Sequence, residues 1–178
     1  MKIGLIVEGD SDKEFFDKYF KPNFKRDIIV ICPGKKGTCK ILNRKKVHQD
    51  IEALFARGCK EVHVLVDLDT QCDTGQKFTC IVELKEWYTK KVSLELKDNV
   101  VVTIVSNEIE AWMLSAWERS DNKLKKDLEN KFEFKKSLNE KELVKKFIGS
   151  KKSIDYRNNK SLKYFLCKAK ILEEIECR

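Results

Sequence analysis

Long apolar runs are missing from this chain of 178 residues. No stretch approaches the roughly 20 consecutive apolar residues that a helix needs to cross a bilayer, so no membrane partner of the spanning kind is expected. Histidine is scarce, with only His48 and His63. No Cys-x-x-Cys pair occurs, and the loosest cysteine spacings, Cys32 with Cys39 and Cys72 with Cys80, do not follow the closely spaced ligand pattern of structural zinc. The start, Met1-Lys2-Ile3-Gly4, runs directly into an apolar segment ending at Glu8 and has no small-residue cleavage site, which argues against a secretory leader. Seven cysteines are an odd number in a chain too long for a small disulfide scaffold. Cys32, Cys59 and Cys80 lie in or beside apolar segments and read as small buried hydrophobes of a reducing cytoplasm, where the protein is therefore expected.

What remains is a globular composition with unusual charge. The hydrophobic fraction is 42% and the charged fraction 37%. The length suits one ordinary domain with a real core. The net charge of +8 is uneven, about +1 over residues 1–117 and +7 over residues 118–178. Such an excess attracts polyanions through counterion release. The competing reading is that lysines solvate the outer faces of surface helices.

Short apolar runs alternate with helical periodicities. Residues 2–8 read as a strand, and Ser11 opens a helix to about Phe20 through a capping box with Glu14. Lys21-Pro22 is expected to end that helix. Residues 27–32 read as a second strand stopped by Pro33-Gly34, and about 41–57 as a helix stopped by Gly58. Residues 61–67 read as a third strand, and 79–91 as a helix with Ile81, Leu84, Trp87 and Tyr88 on one side. Residues 99–105 read as a fourth strand. Ile109, Trp112, Met113, Ala116 and Trp117 form a helical stripe after it. Two further stripes, Leu138/Leu143/Val144/Phe147/Ile148 and Leu162/Phe165/Leu166/Ala169/Leu172/Ile175, mark two or three lysine-rich helices. Near-continuous apolar strands suit a sheet covered on both faces. The expected fold is therefore α/β: a four-stranded, mainly parallel sheet with helices on both faces over residues 1–117, plus a C-terminal helical cap over 118–178.

Carboxylates stand where those strands stop. Val7 is followed by Glu8-Gly9, and Val66 by Asp67-Leu68-Asp69. In a parallel sheet both sets emerge at the carboxyl edge, where ligands bind. Like charges so close repel unless a cation sits among them, and oxygen donors suit a hard divalent ion, Mg²⁺ above all. Taken singly, each has a plainer reading: Asp10 and Asp12 beside Glu8 favour a helix N-terminus, and aspartate is common in turns. Glu108 or Glu110 can complete the cluster from the start of the next helix, or Asn107 with Glu110 can simply cap that helix.

These residues resemble the Toprim fold shared by topoisomerases, primases, OLD-family nucleases and 5S rRNA maturases, and above all its small stand-alone prokaryotic members. Glu8-Gly9-Asp10-Ser11-Asp12-Lys13-Glu14-Phe15-Phe16 resembles their opening motif, Asp67-Leu68-Asp69 the central Asp-x-Asp, and Glu110-Ala111-Trp112 the Glu-x-Trp segment after the fourth strand. Gln71 stands where many members carry a further aspartate. The resemblance spans about residues 2–116 and implies Mg²⁺- or Mn²⁺-dependent chemistry on a phosphodiester. It implies Asp67 and Asp69 as metal ligands, Glu8 as general acid/base or further ligand, and Glu110 as the completing acid.

The segment after the second strand adds Lys35, Lys36, Lys40 and Arg44 as candidate substrate contacts. With Lys45 and Lys46 it holds six basic residues in twelve and no acid. It lacks P-loop spacing, so nucleoside triphosphate binding is not expected. No aromatic interleaves its lysines, so backbone contact is expected rather than base stacking. The leading expectation is a nuclease or related phosphoesterase acting on DNA or RNA. The alternatives are a non-catalytic nucleic-acid- or protein-binding partner in a defence or repair complex, and a small-nucleotide phosphatase.

Overall fold

A computed structural model describes residues 1–33, 44–68, 78, 80–92, 99–133 and 139–177. The chain forms two compact units, Met1–Ile104 and Val105–Arg178.

The first unit is built on a four-stranded, all-parallel sheet, as the apolar runs implied. Its strands are β1 (Ile3–Ile6), β2 (Ile28–Ile31), β3 (Glu61–Asp67) and β4 (Val100–Val105), in the spatial order β2-β1-β3-β4. Ile3 is opposite Ile28 on one side and Glu61 on the other, and Ile6 is opposite Ile31 and Val64. On one face Ile6, Val62, Val64, Val66, Val102 and Ile104 pack with Val47, Ile51 and Leu54 of α3 (Arg44–Ala56) and Leu84 and Tyr88 of α4 (Ile81–Val92). Residues of the other parity, Leu5, Val7 and Leu65, are buried too. Both faces are thus dry, which is why the strands read as unbroken apolar runs rather than alternating ones.

The first helical segment departs from expectation. Pro22 does not end it. α1 (Asp10–Phe15) passes into a π-turn (Phe16–Phe20) and on into α2 (Lys21–Phe24), which stops at Lys25 in the left-handed region with φ 48°. A proline within a helix lacks one N–H and crowds the carbonyl four residues back. The wider π-turn, closed by the Lys21 N–H on the Phe16 carbonyl, lies immediately before Pro22. It also sends Phe15, Phe16, Tyr19 and Phe20 all inward. Phe15 stacks on Tyr19 at 5.2 Å and Phe16 lies 5.1 Å from Phe20. The helix starts two residues before the cap expected at Ser11, and only half of a capping box forms there: the Asp12 carboxylate accepts the Gly9 N–H at 2.9 Å, and glycine has no side chain to return the bond.

Two apolar assignments also change. Ile81 is exposed, although Leu84 and Tyr88 of the same helix are buried. Cys80, expected to be buried, is exposed, whereas Cys59 is buried. Both Cys80 and Ile81 sit at the start of α4, before its buried face begins.

The second unit contains α5 (Ile109–Leu114), α6 (Lys125–Lys131), α7 (Glu140–Gly149), a 3₁₀ turn (Tyr156–Asn158), α8 (Lys160–Lys168) and α9 (Glu174–Cys177). Every residue of α5 is buried, including Glu110. Trp112 stacks on Phe165 at 5.3 Å, and Trp117 meets Phe132 and Phe147 edge-on at 5.8 and 5.9 Å. Leu162, Phe165, Leu166 and Ala169 are buried as their stripe predicted, but Ile175 is exposed because the chain leaves α8 before reaching it. Cys167 and Cys177 form a disulfide with their Cα atoms 5.6 Å apart. No disulfide was expected from the cysteine count. The return of the chain from α8 to α9 creates this one by bringing two Cα atoms within bridging range.

Candidate functional site

The strand order decides where a site can form. From β1 the chain moves to β2 on one side and then to β3 on the other. The connections therefore diverge at the carboxyl ends of β1 and β3, and that divergence opens the crevice in which parallel α/β sheets bind ligands. Glu8 and Asp67 are the acids at those two ends.

The structure brings them into contact. Glu8 is half-buried beyond β1, and its Oε1 accepts the backbone N–H of Asp67 at 3.0 Å. Asp67, the last residue of β3, is likewise half-buried. On the other flank the Cys32 thiol donates to the Glu8 carbonyl at 3.4 Å, and the Val7 N–H donates to the Ile31 carbonyl at 3.0 Å. Glu8 is thus tied to both neighbouring strands. Gly9 follows at once, and α1 begins at Asp10, with Ser11 and Asp12 buried in its first turn. A β-carbon on Gly9 would lie 3.2 Å from Ser11 Oγ, so glycine keeps this turn tight.

The donors at the crevice are carboxylates, the chemistry a hard divalent cation selects. Among the described residues no three Asp, Glu, His or Cys side chains gather closely enough to hold an ion. Asp69, the third expected ligand, lies outside those residues, as do Gln71 and the candidate substrate contacts Lys35, Lys36 and Lys40. Arg44 is described only as the first backbone position of α3.

The two glutamates of the second unit have different surroundings. Glu108, in extended backbone before α5, accepts the Lys125 N–H through Oε2 at 2.9 Å and so anchors the start of α6. Glu110 is buried in the first turn of α5. Asn107, the cap in the alternative reading, takes φ 61°, and its side chain donates to the Lys123 carbonyl at 3.0 Å.

Sequence reasoning missed a buried polar network in this unit. Ser161 Oγ accepts the Trp112 indole N–H at 2.8 Å and the Ser106 N–H at 3.0 Å, and donates to Asn159 Oδ1 at 2.9 Å. Asn159 caps α8 by accepting the Leu162 N–H at 2.9 Å and donates to Ser120 at 3.1 Å. The available signal was Asn159 directly before an apolar helical stripe, which marks a helix start. Nothing local points from there to Trp112.

These features define a parallel α/β protein with two acidic residues, Glu8 and Asp67, at the switch point of its sheet, the carboxylate of one held by the backbone amide of the other. Over residues 7–176 the chain matches the family described as a domain of unknown function, DUF4276, and it belongs to that family. No curated protein and no solved structure matches it. No described helix is long and apolar enough to cross a membrane.

Proposed function

We propose that this protein is a Toprim-type nuclease, or a related phosphoesterase, that uses Mg²⁺ or Mn²⁺ on the phosphodiesters of DNA or RNA. The observation that carries this reading is the hydrogen bond from the Asp67 backbone N–H to the Glu8 carboxylate at the switch point, at 3.0 Å across 59 positions of sequence. Asp67 and Asp69 are the ligands in this scheme. A bound divalent cation supplies charge neutralisation and polarises a phosphoryl oxygen. Glu8, oriented by the Asp67 amide, takes a proton from the attacking water or serves as a further ligand. Lys35, Lys36, Lys40 and Arg44 contact the phosphate backbone in this scheme. The reading places the protein in the cytoplasm.

The test is incubation of purified protein with plasmid, single-stranded DNA and structured RNA in Mg²⁺ or Mn²⁺. Cleavage abolished by Asp67→Asn and by Glu8→Gln supports the proposal. Turnover of mononucleotides without polymer cleavage points instead to a phosphatase.

One observation favours a second reading, a binding module for nucleic acid or a partner protein. The Glu8 contact also ties β1 to β3, a role that needs no catalysis. Salt-sensitive binding that survives both substitutions, with no cleavage in either metal, would establish that reading.

A further inference from the structure

We propose that the C-terminal unit carries a phosphate-binding site of its own, in a pocket between residues 119–123 and the first turn of α8, and that it holds the backbone of a nucleic-acid strand. The pocket measures about 430 Å³ and is lined by Arg119, Asp121, Asn122, Lys123 and Lys160. That is the size of a molecular binding site, where a single ion would need far less. Its three cations outnumber its one acid, and that acid is already engaged. Asp121 Oδ1 accepts the Lys160 N–H at 2.7 Å, and Oδ2 lies 3.5 Å from Arg119 Nε. Lys123 pairs with Glu118 at 3.4 Å. Among the described residues the Lys160 ammonium and the Asn122 carboxamide make no hydrogen bond or ion pair, which leaves both as donors for an incoming anion. Arg119 is 75% exposed and meets Asp121 only through Nε, so its planar fork remains available to phosphate oxygens.

A polymer is favoured over a small anion by the cations that follow the lining residues in sequence. Lys163 shares a face of α8 with Lys160, one turn on. The exposed Lys126 follows in the first turn of α6. Residues 118–178 carry the net charge of +7 noted above. The lining contains no aromatic residue, so contact is with phosphates and carries no base readout. The choice of nucleic acid as the polymer rests on the proposed function; the anion site itself rests on the pocket's own donors.

Binding in EDTA separates this site from catalysis, because a protein that cleaves nothing would still bind. Fluorescence anisotropy with labelled 20-nucleotide single-stranded DNA and RNA, at several salt concentrations, compares the native protein with Arg119→Gln/Lys160→Gln. Both side chains are exposed, and the ion pair that is lost is of a kind that contributes little to stability. An unchanged melting temperature confirms folding. Loss of two phosphate contacts is expected to lower the slope of log affinity against log salt by about 1.4 and to weaken binding about 25-fold at 0.1 M salt. A slope and affinity unchanged within twofold overturn the proposal.

Discussion

Adding a single methyl group at Gly4 tests whether the packing of α3 on β1 is as tight as it looks. Gly4 is buried on the face of β1 that meets α3. A β-carbon there would lie 2.9 Å from Leu54 Cδ1, 3.1 Å from its Cβ and 3.2 Å from its Cδ2. Leu54 is fully buried, and its Cβ is fixed to the helix backbone, so rotation of the leucine relieves only part of the overlap. Overpacking of this kind costs about 1–3 kcal/mol. Replacing a strand glycine by alanine returns roughly 0.5–1 kcal/mol of backbone entropy. Gly4→Ala is therefore expected to destabilise by up to about 2.5 kcal/mol, with about 1 kcal/mol as the central value. Leu54→Ala alone leaves a cavity and costs about 2–5 kcal/mol. In the double variant the new methyl enters the space vacated by the leucine's δ-carbons, so the combined loss should fall short of the sum by about 1 kcal/mol or more. Urea denaturation with an unchanged m-value measures all three. Effects that add to within about 0.5 kcal/mol would refute the contact.

Two further outcomes are expected. Burial raises the Asp17 pKa, but hydrogen bonds from Lys13 and Lys21 outweigh it and leave the carboxyl below its ordinary 3.8. A depressed folded-state value means that the stabilisation is fully present above the unfolded-state value and is lost as pH falls through the folded one. Asp17→Asn should thus lower stability by roughly 0.5–1 kcal/mol near neutrality, and the gap from the native protein should close below pH 3.8; a gap that is constant down to pH 2 would sink this reading. Ser161→Ala strands the Trp112 indole N–H and the Ser106 N–H, and should cost about 2–4 kcal/mol in a urea melt. Because Trp112→Phe removes one of those donors, adding Ser161→Ala to it should cost clearly less than Ser161→Ala alone.

The order of strands and helices, and the acids at the strand ends, were determined by the sequence itself. Apolar runs such as Val62–Val66, stop signals such as Gly58, and the positions of Glu8 and Asp67 are local properties, and local properties are what a linear pattern records. The tertiary structure alone decided the rest. Pro22 lies inside a continuing helical segment because a π-turn precedes it, and that turn is coupled to burial of four aromatic rings. Of Glu108 and Glu110, one anchors the start of α6 and the other is buried in α5, a distinction made by Lys125, seventeen positions away from Glu108. Cys167 meets Cys177, and Trp112 meets Ser161, through turns of the chain that leave no mark in residue spacing. Above all, the placement of β3 directly beside β1 brings Glu8 to the Asp67 amide. Strand adjacency follows from pairing energies summed over distant segments, which a single sequence read along its length does not display.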